Sequence, residues 1–321
     1  MRDLRPASAT KTPVAHEPSP TSSCFQAPTP AISLPSPATQ FGSFVSPKIG
    51  EIISLDLRRD VSVVSLRDLV RSEPLRAEVI FEDCFRLYQA SFPDPNELCS
   101  ADAIKGALQS DSHHFDLVVL LENGRILGAR QLSVLDAGTP EVGKFVIGEY
   151  MYVDRTERKR GIGSALVAHT EELMRSWGAR IAISEQNDPD VMSPELLALD
   201  ESAGISASQR RQFWKKQGYE GIDAPYVMPA ISDDLEPVYH LKLAIRRLDP
   251  TFPKTLSAET LVAMLRAYHS TWVDDVDSNA QTVSLYTSLL RDYPDGIRII
   301  DLEASRTCNA LPSEAIGGGA R

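Results

Sequence analysis

Cysteine is scarce in this chain of 321 residues. Its four copies, Cys24, Cys84, Cys99 and Cys308, are scattered and form no Cys-x-x-Cys pair. That pattern excludes a disulfide framework and a zinc site, and no metal is expected. It also makes a reducing, cytoplasmic setting the simplest expectation. Long apolar runs are missing too. None approaches the roughly 18 residues that a membrane helix needs, so no membrane partner is expected. Positive charge is in deficit, with 33 Lys and Arg against 44 Asp and Glu and a net charge of −11. Such a balance argues against a general binder of nucleic acid or of anionic membranes and leaves room for a cationic partner.

What is there is unevenly distributed. Residues 1–50 carry a net charge of +2, residues 251–321 carry −3, and the middle carries the remaining −10. Pro, Ser, Thr and Ala dominate residues 1–48. Such a segment buries too little apolar surface to offset its ordering entropy, so a disordered leader is expected. It lacks the apolar core of a secretory signal. Its low acidity and many hydroxyls suit an organelle transit peptide, an unstructured export signal, or a flexible leader with no address.

Order is expected from residue 49. A helical stripe over 76–91 holds Val79, Phe85, Leu87 and Tyr88, and a short helix fits 100–109. Residues 115–122 and 125–135 read as two strands joined by a type I′ turn at Asn123-Gly124. Further strands fit 144–153, 180–184, 225–230 and 237–246. A helix following Gly163 is expected to bury Ile162, Leu166, His169, Leu173 and Trp177. Ser206 and Gln209 form a capping box for a helix that ends at Gly218. These elements predict a mixed α/β domain over 49–247. Residues 248–321 read as a helical extension with a loose tail. The extension holds a helix over 257–272 and another over 279–291, the latter aligning Val283, Tyr286 and Leu290.

The densest chemical signal is residues 149–169. An apolar, β-prone run ends at Val153, a cationic turn carries Arg155, Arg158, Lys159 and Arg160, and Gly161 and Gly163 open an amphipathic helix. Free amides at a helix N-terminus, reached through glycines, form an anion site. A third glycine is absent, so the dinucleotide fingerprint fails. No Gly-Lys-Ser/Thr follows, so it is not a Walker loop.

Arg158-x-x-Gly161-x-Gly163, set between a strand and a helix, resembles the pyrophosphate-binding motif of the GNAT superfamily of acyl-CoA-dependent N-acetyltransferases. Arg211-Gln-Phe-Trp-Lys-Lys-Gln-Gly-Tyr219 resembles that family's later aromatic–x–x–x–Gly–aromatic motif. The resemblance covers roughly 75–246. It implies a mostly antiparallel central sheet flanked by helices, with acetyl-CoA as co-substrate. It implies that the amides of Arg158, Lys159, Arg160, Gly161, Ile162, Gly163 and Ser164 point at the pyrophosphate, helped by the helix dipole. It also implies that the backbone at Met151 and Val153 pairs with the pantetheine.

The family's usual reaction is direct attack of an amine on the thioester in a ternary complex. An acceptor arriving as ammonium must first lose a proton, and Glu149 is the candidate base. Tyr152 is a second catalytic candidate. Strand alternation puts Tyr150 and Tyr152 on the face opposite Glu149. Many family members carry a tyrosine at the position of Trp214, where it protonates the departing thiolate; here the acid is unassigned. The segment 185–205 holds Glu185, Asp188, Asp190, Glu195, Asp200 and Glu201 and no Lys or Arg. It is read as a loop that recognises a cationic amine, or as a solvated acidic run. The resemblance implies a primary amine, on a small molecule or a lysine, as the expected acceptor, and a homodimer is compatible with this reading. Two other readings stay open: a non-catalytic acyl-CoA-binding module, and an exported effector acetyltransferase.

Overall fold

The computed structural model describes residues 61–94, 97–112, 114–230 and 235–304. The expected leader over 1–48 and the end of the expected tail lie outside these residues.

The described chain opens with β1 (Val61–Ser65), α1 (Leu66–Ser72), α2 (Pro74–Ser91) and α3 (Ala101–Gln109). Ser65 and Ser100 cap α1 and α3 by accepting the amides of Asp68 and Ala103. β2 (His114–Glu122) and β3 (Arg125–Asp136) form the expected hairpin. Asn123 and Gly124 take φ of +52° and +80°, as a type I′ turn requires. Then come β4 (Lys144–Val153), α4 (Ile162–Ser176), β5 (Ile181–Asn187), α5 (Pro194–Ser202), α6 (Ala207–Lys216), β6 (Glu220–Ile222) and β7 (Leu241–Arg247). The chain continues through β8 (Thr255–Leu256), α7 (Ala258–His269), α8 (Ala280–Asp292) and β9 (Ile297–Ile300). No helix among the described residues is long and apolar enough to cross a membrane.

The strands form one mixed sheet in the order β1-β2-β3-β4-β5-β7-β6-β9-β8. Every pairing is antiparallel except β4 with β5. On one face, β2 to β5 and β7 pack against α1, α2, α3, α7 and α8 through Phe81, Tyr88, Phe115, Ile183, Leu261 and Leu285. On the other face α4 covers β2, β3 and β4 through Ile162, Leu166 and Met174.

Strand β4 is irregular on both of its edges. It pairs with β5 at only Val146–Ala182 and Ile147–Ile183, so the strands part at Gly148. Its register with β3 slips between Arg130 and Leu132, which face Met151 and Gly148. That slip is a β-bulge, one extra residue on β4 at Glu149-Tyr150.

Several expectations give way to packing. The acidic loop contains a helix, α5, begun by Ser193 as cap and Pro194 in the first turn. In α8 the buried stripe is Thr282, Leu285, Tyr286 and Leu289, while Val283 and Leu290 face solvent. Residues 225–230 form no strand and make a lone bridge from Met228 to Val238. Of the face expected for α4, Ile162 and Leu166 are buried, and it continues through Thr170 and Met174 rather than His169 and Leu173. The C-terminal segment holds the two expected helices and also extends the sheet, since Ile300 pairs with Gly221.

Candidate active site

The turn after β4 has the backbone of an anion cradle. Lys159 and Gly161 take φ of +67° and +82°. This left-handed region suits glycine but strains lysine, and such strain gathers at ligand clamps. No side chain among the described residues caps α4, so the amides of its first turn lack protein partners. They line a cavity of about 580 Å³ between α4 and α6. A Cβ at Gly163 would come within 3.2 Å of the Phe213 ring on α6, so glycine sets the width of this slot. Met151, Val153, Arg158, Lys159, Gly161, Ile162, Gly163 and Ser164 all line it, joined by Arg210 and Lys216.

The cations there repel one another. Burial, then Arg155 and Arg210, pull the Arg158 guanidinium below its ordinary pKa. Arg158 Nη1 and Arg155 Nε donate to the Ala203 carbonyl at the end of α5, at 2.9 and 3.0 Å. A helix C-terminus is where cations belong, and this contact fastens α5 to the cradle. Such a field, ringed by open amides, fits the diphosphate of a coenzyme A. Arg160 is a different case. It does not line the cavity, because its guanidinium pairs with Glu157 and Glu122. Its guanidinium is held in structural ion pairs, so any part Arg160 takes at the turn falls to its backbone amide.

A second cavity, of about 140 Å³, opens where β4 and β5 part. Glu97, Glu149 and Glu185 line it together with Phe92, Tyr150, Tyr268 and Trp272. The two cavities share Met151, Phe92 and Trp214. Glu149 accepts a hydrogen bond from Ser133 Oγ. The bulge overrides the expected alternation: Tyr150 and Tyr152 pack on the same face as Phe145 and Ile147, and Glu149 interacts electrostatically with Tyr268 of α7 on that side. Tyr152, the second catalytic candidate, is packed as a core side chain: its ring lies against Tyr88 and Phe92, and its hydroxyl is buried beside Gln131. Burial pushes that phenol well above its ordinary pKa. It is a core side chain whose edge reaches the larger cavity.

Glu185 is the site residue that sequence reasoning placed only among the loop acids. Tyr226 donates to its Oε1, and Tyr268 to its Oε2 at 3.0 Å. Burial raises it from 4.5 to about 7, helped by Glu97 and opposed by the two tyrosines. Behind it runs a buried chain. Tyr226 Oη lies 3.2 Å from His269 Nε2, and His269 Nδ1 lies 2.9 Å from Tyr286 Oη. A carboxylate only accepts, so Tyr226 donates to it, His269 Nε2–H donates to Tyr226, and Tyr286 donates to His269. Burial holds His269 neutral, pushed down to about 3. No local motif announces this set, since Tyr268 and Tyr286 read as helix stripes.

Of the other acids of 185–205, Glu195 and Glu201 face solvent, while Asp188, Asp190 and Asp200 are taken up in ion pairs. Asp188 and Lys242 pair at 3.3 Å, each with 2% of its side chain exposed. Asp190 pairs with Arg211 at 2.7 Å and Asp200 with Arg210 at 2.5 Å. These acids dock α6 against β5, and the site takes Glu185 from the segment, with Asp200 at its edge.

Residues 81–191 match the model of the acetyltransferase (GNAT) family. This stretch of the chain resembles a GNAT-family acetyltransferase domain. Among solved structures it resembles the ribosomal-protein-S18-alanine N-acetyltransferase of Escherichia coli at 13% identity, covering 59% of this chain and 95% of that one, with a TM-score of 0.37. It resembles the aminoglycoside 6′-N-acetyltransferase of Enterococcus faecium at 16% identity, covering 60% and 98%, with a TM-score of 0.39. Among curated proteins, the Caenorhabditis elegans protein sax-3 is 33% identical over 86 residues, which span 24% of this chain and 7% of that protein.

Proposed function

We propose that this protein is an N-acetyltransferase that moves an acetyl group from acetyl-CoA to a primary amine arriving as ammonium, with donor and acceptor bound together. One observation carries the reading. A cation-lined cavity with open helix amides and a carboxylate-lined cavity meet at Met151, Phe92 and Trp214, where β4 leaves β5. The first suits a diphosphate. The second is also lined by Arg130, Arg210 and Arg211, but Arg210 and Arg211 are taken up by Asp200 and Asp190, which leaves Glu97, Glu149 and Glu185 for a cation.

Acetyl-CoA supplies an activated acetyl thioester. The chain supplies the rest. Open amides of Ile162, Gly163 and Ser164, with Arg158, Lys159 and Arg210, hold the donor's phosphates, and the strand edge freed at Gly148 aligns its arm. Glu149, with part of its surface in the cavity, meets the incoming ammonium. Glu185 takes the proton, because a base poised near 7 both accepts and releases protons at neutral pH. Gln186 and Trp272 also line this cavity, and their Oε1 and Nε1 atoms are buried without hydrogen-bond partners among the described residues.

The test is acetyl-CoA turnover across polyamines, aminoglycosides, amino acids and lysine peptides, read as released thiol and as product mass. Thiol release that depends on an amine, with an acetyl group added to it, is the expected result. Tight CoA binding with no thiol released by any amine would return the protein to the acyl-CoA-binding module.

A further inference from the structure

Arg130 carries a buried charge that the acid–base scheme leaves unused. It sits on β3 with 1% of its surface exposed. Nη1 donates to Thr170 Oγ1 at 2.7 Å and Nη2 to Tyr219 Oη at 2.6 Å. Both partners are neutral, and among the described residues no carboxylate pairs with this guanidinium. A buried charge without a counter-ion costs several kcal/mol. Folds keep such violations mainly where function uses them.

Its position says what that use is. The guanidinium lies 5.3 Å from the centre of the Trp214 ring, and Trp214 lines both cavities. It also rests against Gly148, where a Cβ would stand 3.0 Å from Nη2. Gly148 is the residue at which β4 leaves β5. The chain thus brings an unpaired cation to the junction where donor and acceptor must meet.

Resting on the proposed acetyl transfer, we propose that Arg130 is the charge that receives the leaving group, stabilising the sulphur anion beside Trp214 so that no protein acid is needed there. In the transfer a C–N bond forms and the C–S bond breaks. The acceptor, arriving as ammonium, gives up two protons. Glu185 takes the first before attack, releases it to solvent and takes the second once the C–N bond has formed. The electron pair of the broken bond goes to sulphur. Trp214 has no proton to give that sulphur, so it departs as thiolate. A fixed cation in a dry site stabilises such charge without reorganising when it appears.

The decisive measurement uses free CoA rather than turnover. CoA is bound to the intact protein, binding is confirmed by calorimetry, and the bound thiol is titrated by thiolate absorbance. The expected result is a thiol pKa lowered by about 1–3 units from that of free CoA. Arg130→Lys should keep part of the shift and Arg130→Met should abolish it, with kcat down about 10²-fold in the latter. An unshifted or raised thiol pKa in the unmodified protein overturns the assignment whether or not the variants fold. So does an Arg130→Met protein that keeps the lowered pKa and loses only affinity for carboxylate-bearing amines, which would make Arg130 an acceptor clamp. Failure of CoA to bind at all would remove the donor site itself, and this role with it.

Discussion

The two cavities are built on opposite plans. The larger one takes most of its lining from a single run, Met151 to Ser164, and much of its work is done by backbone amides and glycines. The smaller one gathers Glu97, Glu149, Glu185 and Tyr268 from four distant segments, and its work is done by side chains. A donor shared by many enzymes can be held by a local, reusable turn. An acceptor particular to one enzyme is read by residues that only tertiary packing brings together. The difference teaches where chemistry is legible in a sequence and where it is not.

Glu185→Gln is the hardest blow to the acceptor side. Turnover should fall by about 10²–10⁴-fold with little change in CoA affinity. Stability should move the other way. Burial lifts Glu185 to about 7 from its ordinary 4.5, so the folded protein favours the protonated acid. That contribution is fully present below pH 4.5 and is lost as pH rises through about 7. The variant cannot ionise, so its melting temperature should exceed that of the parent by a margin that grows across this window. Equal melting curves at pH 8 would contradict the buried-acid account.

The donor side should break through its backbone. Gly163→Val would press on Phe213 and narrow the slot, and CoA affinity by calorimetry should drop by about 10- to 100-fold, a cost of about 1–3 kcal/mol typical of overpacking. The apparent pKa of the acceptor side should stay where it was. If the pH profile moves with it, the two cavities are not separable.

A finer probe of the acceptor side is Tyr226→Phe. Its hydroxyl lowers the Glu185 pKa, so its loss should carry the rising limb of kcat/KM to higher pH, by roughly one unit. His269 would keep its bond to Tyr286 and lose the one to Tyr226. The smallest effect belongs to Tyr152→Phe. Its hydroxyl is buried with only Gln131 beside it, so removing it should be close to neutral. A kcat within about two-fold of the parent is expected; a tenfold loss would restore Tyr152 to the chemistry.

The same contrast separates the legible from the hidden. The hairpin at Asn123-Gly124, the capping box at Ser206 and the glycine turn after β4 are signals over a few residues, and each forms as expected. The bulge at Glu149-Tyr150 leaves no mark in the sequence, because it is set by the pairing of β3 with β4. Arg160 and Arg158 look alike in a row of cations. Only the partners Glu122 and Glu157 separate them. Asp188 reads as an acceptor-binding acid, yet its counter-ion is Lys242, 54 residues away in sequence. In α8 a stripe of Val283, Tyr286 and Leu290 is as helical in period as the true one, and the sheet decides between them.

The chain of hydrogen bonds from Glu185 through Tyr226 and His269 to Tyr286 has a practical consequence. The segment that carries the family's signature ends at 191, but the base of the proposed reaction is tuned by groups up to 95 residues further on. Anyone cutting this protein down to its recognisable part would keep the grip on the donor and discard the wiring that sets the working pH. An exchange meant to carry this behaviour into another scaffold would have to include Glu185 and Tyr226 as well as α7, α8 and the turn.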